Sequence, residues 1–223
     1  MFKLQYTITS INTCTLSGFT MQDNTTPKTV IIPNTITHNG IIYTINIIAP
    51  NAFFNCIKLT DIVIPNSIKS INNNTFVNCV NLKTVSLPDS LQIIGNYAFT
   101  NCTNLTNIII PNSVTTIGDN AFNNCTSLTS ILLPDSLQII SNKAFYNCTI
   151  LTNIVIPPFV TFIGTNAFYN CVSLISATIC NSTINIDPSA FTYHTNKKLP
   201  ISIIYNIDVQ DTFETDITDY TLL

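Results

Sequence analysis

The chain has 223 residues, of which 46% are hydrophobic and only 9% charged, with a formal net charge of −3 at pH 7. Charged residues usually make up about a quarter of a soluble domain, so the polar surface must consist of Asn, Thr and Ser. All eight cations are Lys, which excludes a basic face for nucleic acid and a bidentate phosphate reader, and no run of about 18 apolar residues offers a membrane-spanning helix.

Phe2, Leu4, Tyr6 and Ile8 alternate with Lys3, Gln5, Thr7 and Thr9, which predicts a half-buried strand. A second strand is expected over Thr13 to Phe19, followed by a polar loop from Gln22 to Lys28. Val30-Ile31-Ile32-Pro33 has the form of a strand that recurs later, but the next copy is delayed by an insert carrying His38-Asn39-Gly40. Asn-Gly between β-rich runs predicts a tight hairpin. Ile45 and Ile48 stand 23 residues before Ile68 and Ile71, so a repeat array begins there. A solenoid exposes apolar surface at its ends unless something covers it, and residues 1–44 are therefore read as an N-terminal β cap.

Residues 45–191 form the array. Phe53, Phe76, Phe99, Phe122, Phe145, Phe168 and Phe191 recur every 23 residues, as do Cys56, Cys79, Cys102, Cys125, Cys148 and Cys171. Pro65, Pro88, Pro111, Pro134 and Pro157 keep the same interval. A fixed period in this range marks a solenoid. Within one coil, Leu105, Ile108 and Ile110 follow the spacing of a leucine-rich repeat strand, and Pro111 ends it for want of an N–H. Val114 and Ile117 suggest a second short strand. Asp119 or Asn120 would cap a short helical turn through Ala121 and Phe122. Asn55, Asn78, Asn101, Asn124, Asn147 and Asn170 precede the six cysteines. Two readings of that Asn stay open: a residue that tolerates positive φ, or a side-chain ladder to the next coil's backbone. A longer period overlies the first, because SLPDSLQIIGNYAFTNCT at 86–103 matches LLPDSLQIISNKAFYNCT at 132–149. The last unit to duplicate thus spans two coils.

The pattern decays at the C-terminus, where Tyr193-His194 replaces Asn-Cys. Residues 192–223 read as a C-terminal cap, with a closing strand within 199–206, and a dilute acidic tail carrying Asp208, Asp211, Glu214, Asp216 and Asp219.

Residues with reactive chemistry are sparse. Stacked coils lie about 4.8 Å apart, which geometry alone would allow disulfides to bridge. Cys in a repeat core is nevertheless expected as a buried thiol, with bridges and a metal as the alternatives. The paired CxxC or HxxxH ligands of structural zinc are missing. His38 and His194 sit at opposite ends of the array. No phosphate-loop, dinucleotide, zinc-protease or nucleophile-elbow motif occurs, and Asp89 and Asp135 share a turn position two coils apart. No enzyme activity and no cofactor are expected. Sequons at Asn24, Asn73, Asn101, Asn104, Asn124, Asn147 and Asn181 would matter only in a secretory pathway. The N-terminus MFKLQYTITSINTC lacks the layout of a signal peptide, so a cytoplasmic location is the default expectation.

The quoted repeat, L-x-x-I-x-I-P-x-S-V/L-x-x-I-x-x-x-A-F-x-N-C-x-x, resembles the BspA-like class of leucine-rich repeats over about residues 30 to 191. The resemblance implies a right-handed, β-rich leucine-rich repeat solenoid of short strands and short helical turns. It also implies kinship with surface and adhesive proteins that bind host or partner proteins, and hence a cell-surface role. Members commonly carry Gly before the Cys, where this chain has Asn.

The functional expectation rests on the outward positions of the first strand. Val63, Ile109, Leu132 and Val155 form an apolar stripe there, and exposed apolar patches mark contact sites. Asn107, Ile109, Ser130, Leu132, Asn153 and Val155 are the candidate partner-binding face. A non-enzymatic protein-binding scaffold is the principal reading; a structural or self-associating repeat segment, a homo-oligomer, is the alternative. Neither nucleic acid nor membrane insertion is expected.

Overall fold

A computed structural model describes residues 2–21 and 29–192 and the backbone of 202–205. The polar loop, His194 and the acidic tail lie outside the described residues. The array is a β-solenoid of stacked coils, each contributing one strand to each of two parallel rows.

At the N-terminus, β1 (Phe2–Ile8) runs antiparallel to β2 (Thr13–Met21). β3 (Val30–Ile31) is separate, and β4 (Thr35–His38) and β5 (Ile41–Ile48) form the expected hairpin. Its two turn residues, Asn39 and Gly40, have φ of 50° and 77°, the left-handed pair that a type I′ turn demands. The sheet order is β1-β2-β5-β4. Cys14, Leu16, Ile45 and Ile48 fill its inner side and are fully buried. β3 instead pairs with the first regular coil, Val30 opposite Ile62 and Ile31 opposite Val63, so the strand ahead of the insert is the first rung of the face row.

That face row consists of β6 (Asp61–Val63), β8 (Thr84–Ser86), β10 (Asn107–Ile109), β12 (Ser130–Leu132), β14 (Asn153–Ile156), β16 (Ser176–Ile179) and β18 (Ser202–Tyr205). The second row consists of β7 (Ser70–Ile71), β9 (Ile93–Ile94), β11 (Thr116–Ile117), β13 (Ile139–Ile140), β15 (Phe162–Ile163) and β17 (Asn185–Ile186), paired without interruption. Between the rows, Pro65, Pro88, Pro111, Pro134 and Pro157 open turns, and a Ser of the next coil satisfies carbonyls of the turns at Pro65, Pro88 and Pro111, with Asn181 Nδ2 on Val160 O at 2.8 Å after Pro157. Ser113 Oγ donates to Asp89 O at 2.6 Å and also to Leu91 O, and Ser136 Oγ donates to Val114 O at 2.7 Å.

The expected helical turn is absent. Residues 119–124 form an irregular turn whose amides alternate between two kinds of partner. Asn120, Phe122 and Asn124 donate to the carbonyls of Asn142, Ala144 and Tyr146 on the next coil, while Ala121, Asn123 and Cys125 donate locally to the residue three earlier. A helix would turn all of these bonds inward and leave this side of the coils without cross-links, with only the two strand rows joining them. Positive φ makes the alternation feasible. Asn51, Asn74, Tyr97, Asn120, Lys143 and Asn166 open the turn with φ of 55° to 62°, and the Asn before each repeat Cys closes it at 58° to 61°.

The core is a set of columns. Phe53 to Phe191 stack with ring centroids 5.0 to 5.3 Å apart and, beyond the first pair, interplanar angles of 10° or less. Phe19 of the cap extends the column, 5.3 Å from Phe53. Burying each ring contributes on the order of 1.5–3 kcal/mol. The cysteines form a second column of free thiols. From Cys79 to Cys171 each S–H reaches back to the Phe carbonyl of the coil before, Cys79 to Phe53 at 3.1 Å, Cys102 to Phe76 at 3.2 Å and Cys125 to Phe99 at 3.3 Å, whereas the Cys56 S–H points to Phe54 O of its own coil at 3.9 Å. The position thus needs a small, weakly donating, otherwise apolar group.

Candidate functional site

Side chains alternate along a strand, so the middle residue of each face strand turns inward and its neighbours turn outward. Ile62, Val85, Ile108, Ile131, Ile154 and Ala177 are buried. The candidate residues Asn107, Ile109, Ser130, Leu132, Asn153 and Val155 are all exposed. Parallel pairing sets Asn107 beside Ser130 and Ile109 beside Leu132, making a polar column and an apolar column side by side. Exposure reaches 75% at Ile109, 70% at Leu132 and 51% at Val155.

The apolar column runs farther than the sequence indicated. Ile31, 64% exposed, stands on the rung before Val63, out of step with the 23-residue count because of the insert after it. Ser86 interrupts the column between Val63 and Ile109. There the surface sinks into a shallow depression of about 430 Å³, lined by Asp61, Thr84, Ser86, Asn107 and Ile109 among others. Its polar groups hold one another: Thr84 Oγ1 donates to Asp61 Oδ1 at 2.5 Å. Farther along, Ser176 Oγ donates to Asn153 Oδ1 at 2.6 Å. These bonds fix the polar column and leave the aliphatic tips free to make contact.

Among the described residues, no group of three or more His, Cys, Asp or Glu is placed to hold a metal, and no helix is long and apolar enough to cross a membrane. The sequons at Asn101, Asn124 and Asn147 coincide with the Asn that closes each turn. Their amide nitrogens are engaged on the preceding Asn at 2.6 to 2.8 Å, and that of Asn104, an exposed residue, donates to Asn81 Oδ1 at 3.1 Å.

The family described as BspA type Leucine rich repeat region matches in six copies, over residues 1–85, 28–142 and 115–214. Three solved structures illustrate the likeness. A leucine-rich cell surface protein from Faecalibacterium prausnitzii is 32% identical, with 80% of this chain and 53% of that one covered and a TM-score of 0.61. A leucine-rich repeat protein from Bacteroides ovatus is 25% identical, covering 91% of this chain and 67% of that one at a TM-score of 0.57. The leucine-rich repeat protein of T. pallidum is 25% identical, covering 78% and 68% respectively at a TM-score of 0.53. The chain thus spans about half the length of the first and two thirds of the others. No curated protein shows detectable similarity.

Proposed function

Because the chain belongs to the BspA-type leucine-rich repeat family, we propose that it is a non-enzymatic protein-binding scaffold that docks its partner on the outward face of the strand row. The observation that carries this reading is the run of Ile109, Leu132 and Val155 on three successive coils, each at least half exposed, flanked by Asn107, Ser130 and Asn153. Leucine-rich repeat arrays of this fold are typically scaffolds. A column of aliphatic tips beside short polar groups is the composition of a contact surface rather than of a reaction centre. The face is built on backbone ladders, so binding orders little of the protein, which lowers the cost of association. With so few charges, binding should depend only weakly on salt. The name of the similar Faecalibacterium prausnitzii protein, a cell surface protein, supports presentation of this face at a cell surface for adhesion.

The test is the double change Ile109→Asp and Leu132→Asp. Neither side chain packs in the core, so thermal unfolding should match the parent. Binding of a partner captured by the parent, identified and repurified, should be abolished. Undiminished binding by the folded double variant would refute the assignment. Light scattering over a range of concentrations separates the alternative: a mass that grows with concentration, and stops growing in the double variant, assigns the face to a second copy of the chain.

A further inference from the structure

The thiol column is uniform in geometry but not in access. Cys79, Cys102, Cys125, Cys148 and Cys171 are fully enclosed, whereas Cys56, at the N-terminal end, is partly exposed. It lines a shallow depression of about 240 Å³ with Phe19, Phe54, Ile57 and Lys58. Its neighbour in the column is close at hand. The Cys56 N–H and the Cys79 S–H both donate to the Phe53 carbonyl, each at 3.1 Å. The two coils are held in register beside the pair by Asn55 N–H to Val77 O at 2.9 Å and Asn78 Nδ2 to Asn55 Oδ1 at 2.8 Å. The Phe53 and Phe76 rings stack 5.1 Å apart, and adjacent rungs of a sheet lie about 4.8 Å apart, a coil spacing that a disulfide between equivalent positions can span.

We propose that Cys56 and Cys79 are an oxidant-responsive pair, in which a peroxide enters at Cys56 and the two sulfurs close an inter-coil disulfide. The Cys56 thiolate attacks one peroxide oxygen. The O–O bond breaks, hydroxide or alkoxide leaves, and Cys56 becomes a sulfenic acid. The Cys79 sulfur then attacks the Cys56 sulfur. The S–O bond breaks, and the departing oxygen takes the Cys79 proton and leaves as water. The two electrons removed from the thiol pair are those that reduce the peroxide. Losing the Cys79 S–H leaves the Phe53 carbonyl paired, because the Cys56 N–H still donates to it.

Electrostatics concentrate the reactivity at the accessible sulfur. A hydrogen bond offered by Cys79 holds the Cys56 thiol below its ordinary value, against the opposing effect of burial. The same bond, with burial, pushes the Cys79 thiol up. A thiolate is the nucleophile toward the peroxide, and the peroxide must reach it, so oxidation starts at Cys56; Cys79 meets no oxidant and reacts only with the sulfenic sulfur formed beside it, giving up its proton in that step. Interior neighbours share the spacing, but no oxidant reaches them.

Trypsin cuts after Lys28, Lys58, Lys69 and Lys83, so peptides 29–58 and 70–83 each contain a single cysteine, Cys56 and Cys79. In native reduced protein treated with hydrogen peroxide, the thiols of Cys56 and Cys79 should be lost together, and digestion should show 29–58 joined to 70–83, reversibly with dithiothreitol; Cys180, also partly exposed, lies on a separate peptide and is scored apart. In Cys79→Ser, oxidation should stop at a Cys56 sulfenic acid trappable by dimedone. The proposal is overturned if wild-type Cys56 stays reduced or is driven to sulfinic acid without the cross-link. It is equally overturned if 70–83 is joined to 84–143, which would show that the interior column is open to oxidant.

Discussion

The Asn that closes each turn has two separable functions, and Asn124 tests both. Its φ is 59°. Its Nδ2 donates to Asn101 Oδ1 at 2.8 Å, and its Oδ1 accepts from Asn147 Nδ2 at 2.6 Å. Asn124→Gly keeps the backbone comfortable but deletes two partly buried hydrogen bonds, each worth about 0.5–1.5 kcal/mol net, so it should cost about 1–3 kcal/mol. Asn124→Val deletes the same bonds and adds the left-handed penalty of an L side chain, about 1–2 kcal/mol and larger for a β-branched one. Val should therefore fall below Gly by at least that penalty. Urea unfolding midpoints of the two variants and the parent provide the comparison. The deficit of Gly reports the ladder, and the gap between Gly and Val reports the φ. A Gly variant as stable as the parent would show that the amide ladder contributes nothing, and equal midpoints for Gly and Val would show that the left-handed conformation is dispensable.

Tyr97 and Lys143 hold the same left-handed backbone, with φ of 58° and 55°, at the position that opens the turn, where Asn stands in four other coils. Tyr97→Asn and Lys143→Asn should each stabilise the fold by roughly 1 kcal/mol of relieved strain, read as a raised urea midpoint; a lowered midpoint in both would show that their side chains outweigh the strain. The thiol column makes stability fall in alkali. Burial pushes the Cys171 thiol up to about 12, and burial first of all holds Cys125 and Cys148 well above the ordinary value of 9.0. A group whose folded value is raised stabilises fully below its unfolded value and loses that contribution as pH rises through the folded one. The unfolding midpoint should therefore decline between pH 9.0 and about 12, and the decline should be shallower in Cys125→Ala/Cys148→Ala. An unchanged slope in that variant would remove the thiols as the cause.

The 23-residue interval made the solenoid legible because each coil meets nearly identical neighbours, so the same residue answers the same need at every copy. Phe, Cys and Asn could be assigned to columns before any geometry was known. The irregular turn was less legible. Its first left-handed position is Asn in four coils but Tyr and Lys at 97 and 143, which hides the signal, and Ala-Phe after Asn reads equally well as a capped helical turn. The two readings of the closing Asn proved compatible: φ is positive, and the ladder exists, but it links amide to amide rather than amide to backbone. Phe19 had no periodic signature, because it lies in the cap and reaches the Phe column from outside the repeat. On the face, strand alternation alone located the six candidate residues. The strand at Ile31 was recognisable by its form, but the insert after it hid its place as a rung of the face, and the depression at Ser86 was not visible because it depends on how coils stack.

The two-coil period of the sequence reappears in the hydrogen bonding of the face row. The second row is paired throughout its six strands, but the face row is divided into β3-β6-β8, β10-β12 and β14-β16-β18. Each division follows the strand of a coil bearing Pro-Asp-Ser, at Pro88 or Pro134. The isolated pair β10-β12 carries Ile109 and Leu132, the two most exposed residues of the apolar column. The strands on either side of the pair still stack against it, so the backbone groups between them lie in the sheet plane and face the next rung rather than solvent. What the face offers outward is therefore its side chains alone. On the proposed reading, Ile109 and Leu132 are the two anchors at the middle, edged by Asn107 and Ser130, and truncating these most exposed apolar tips should cost most. Val155, 51% exposed, is the lesser contact beyond them.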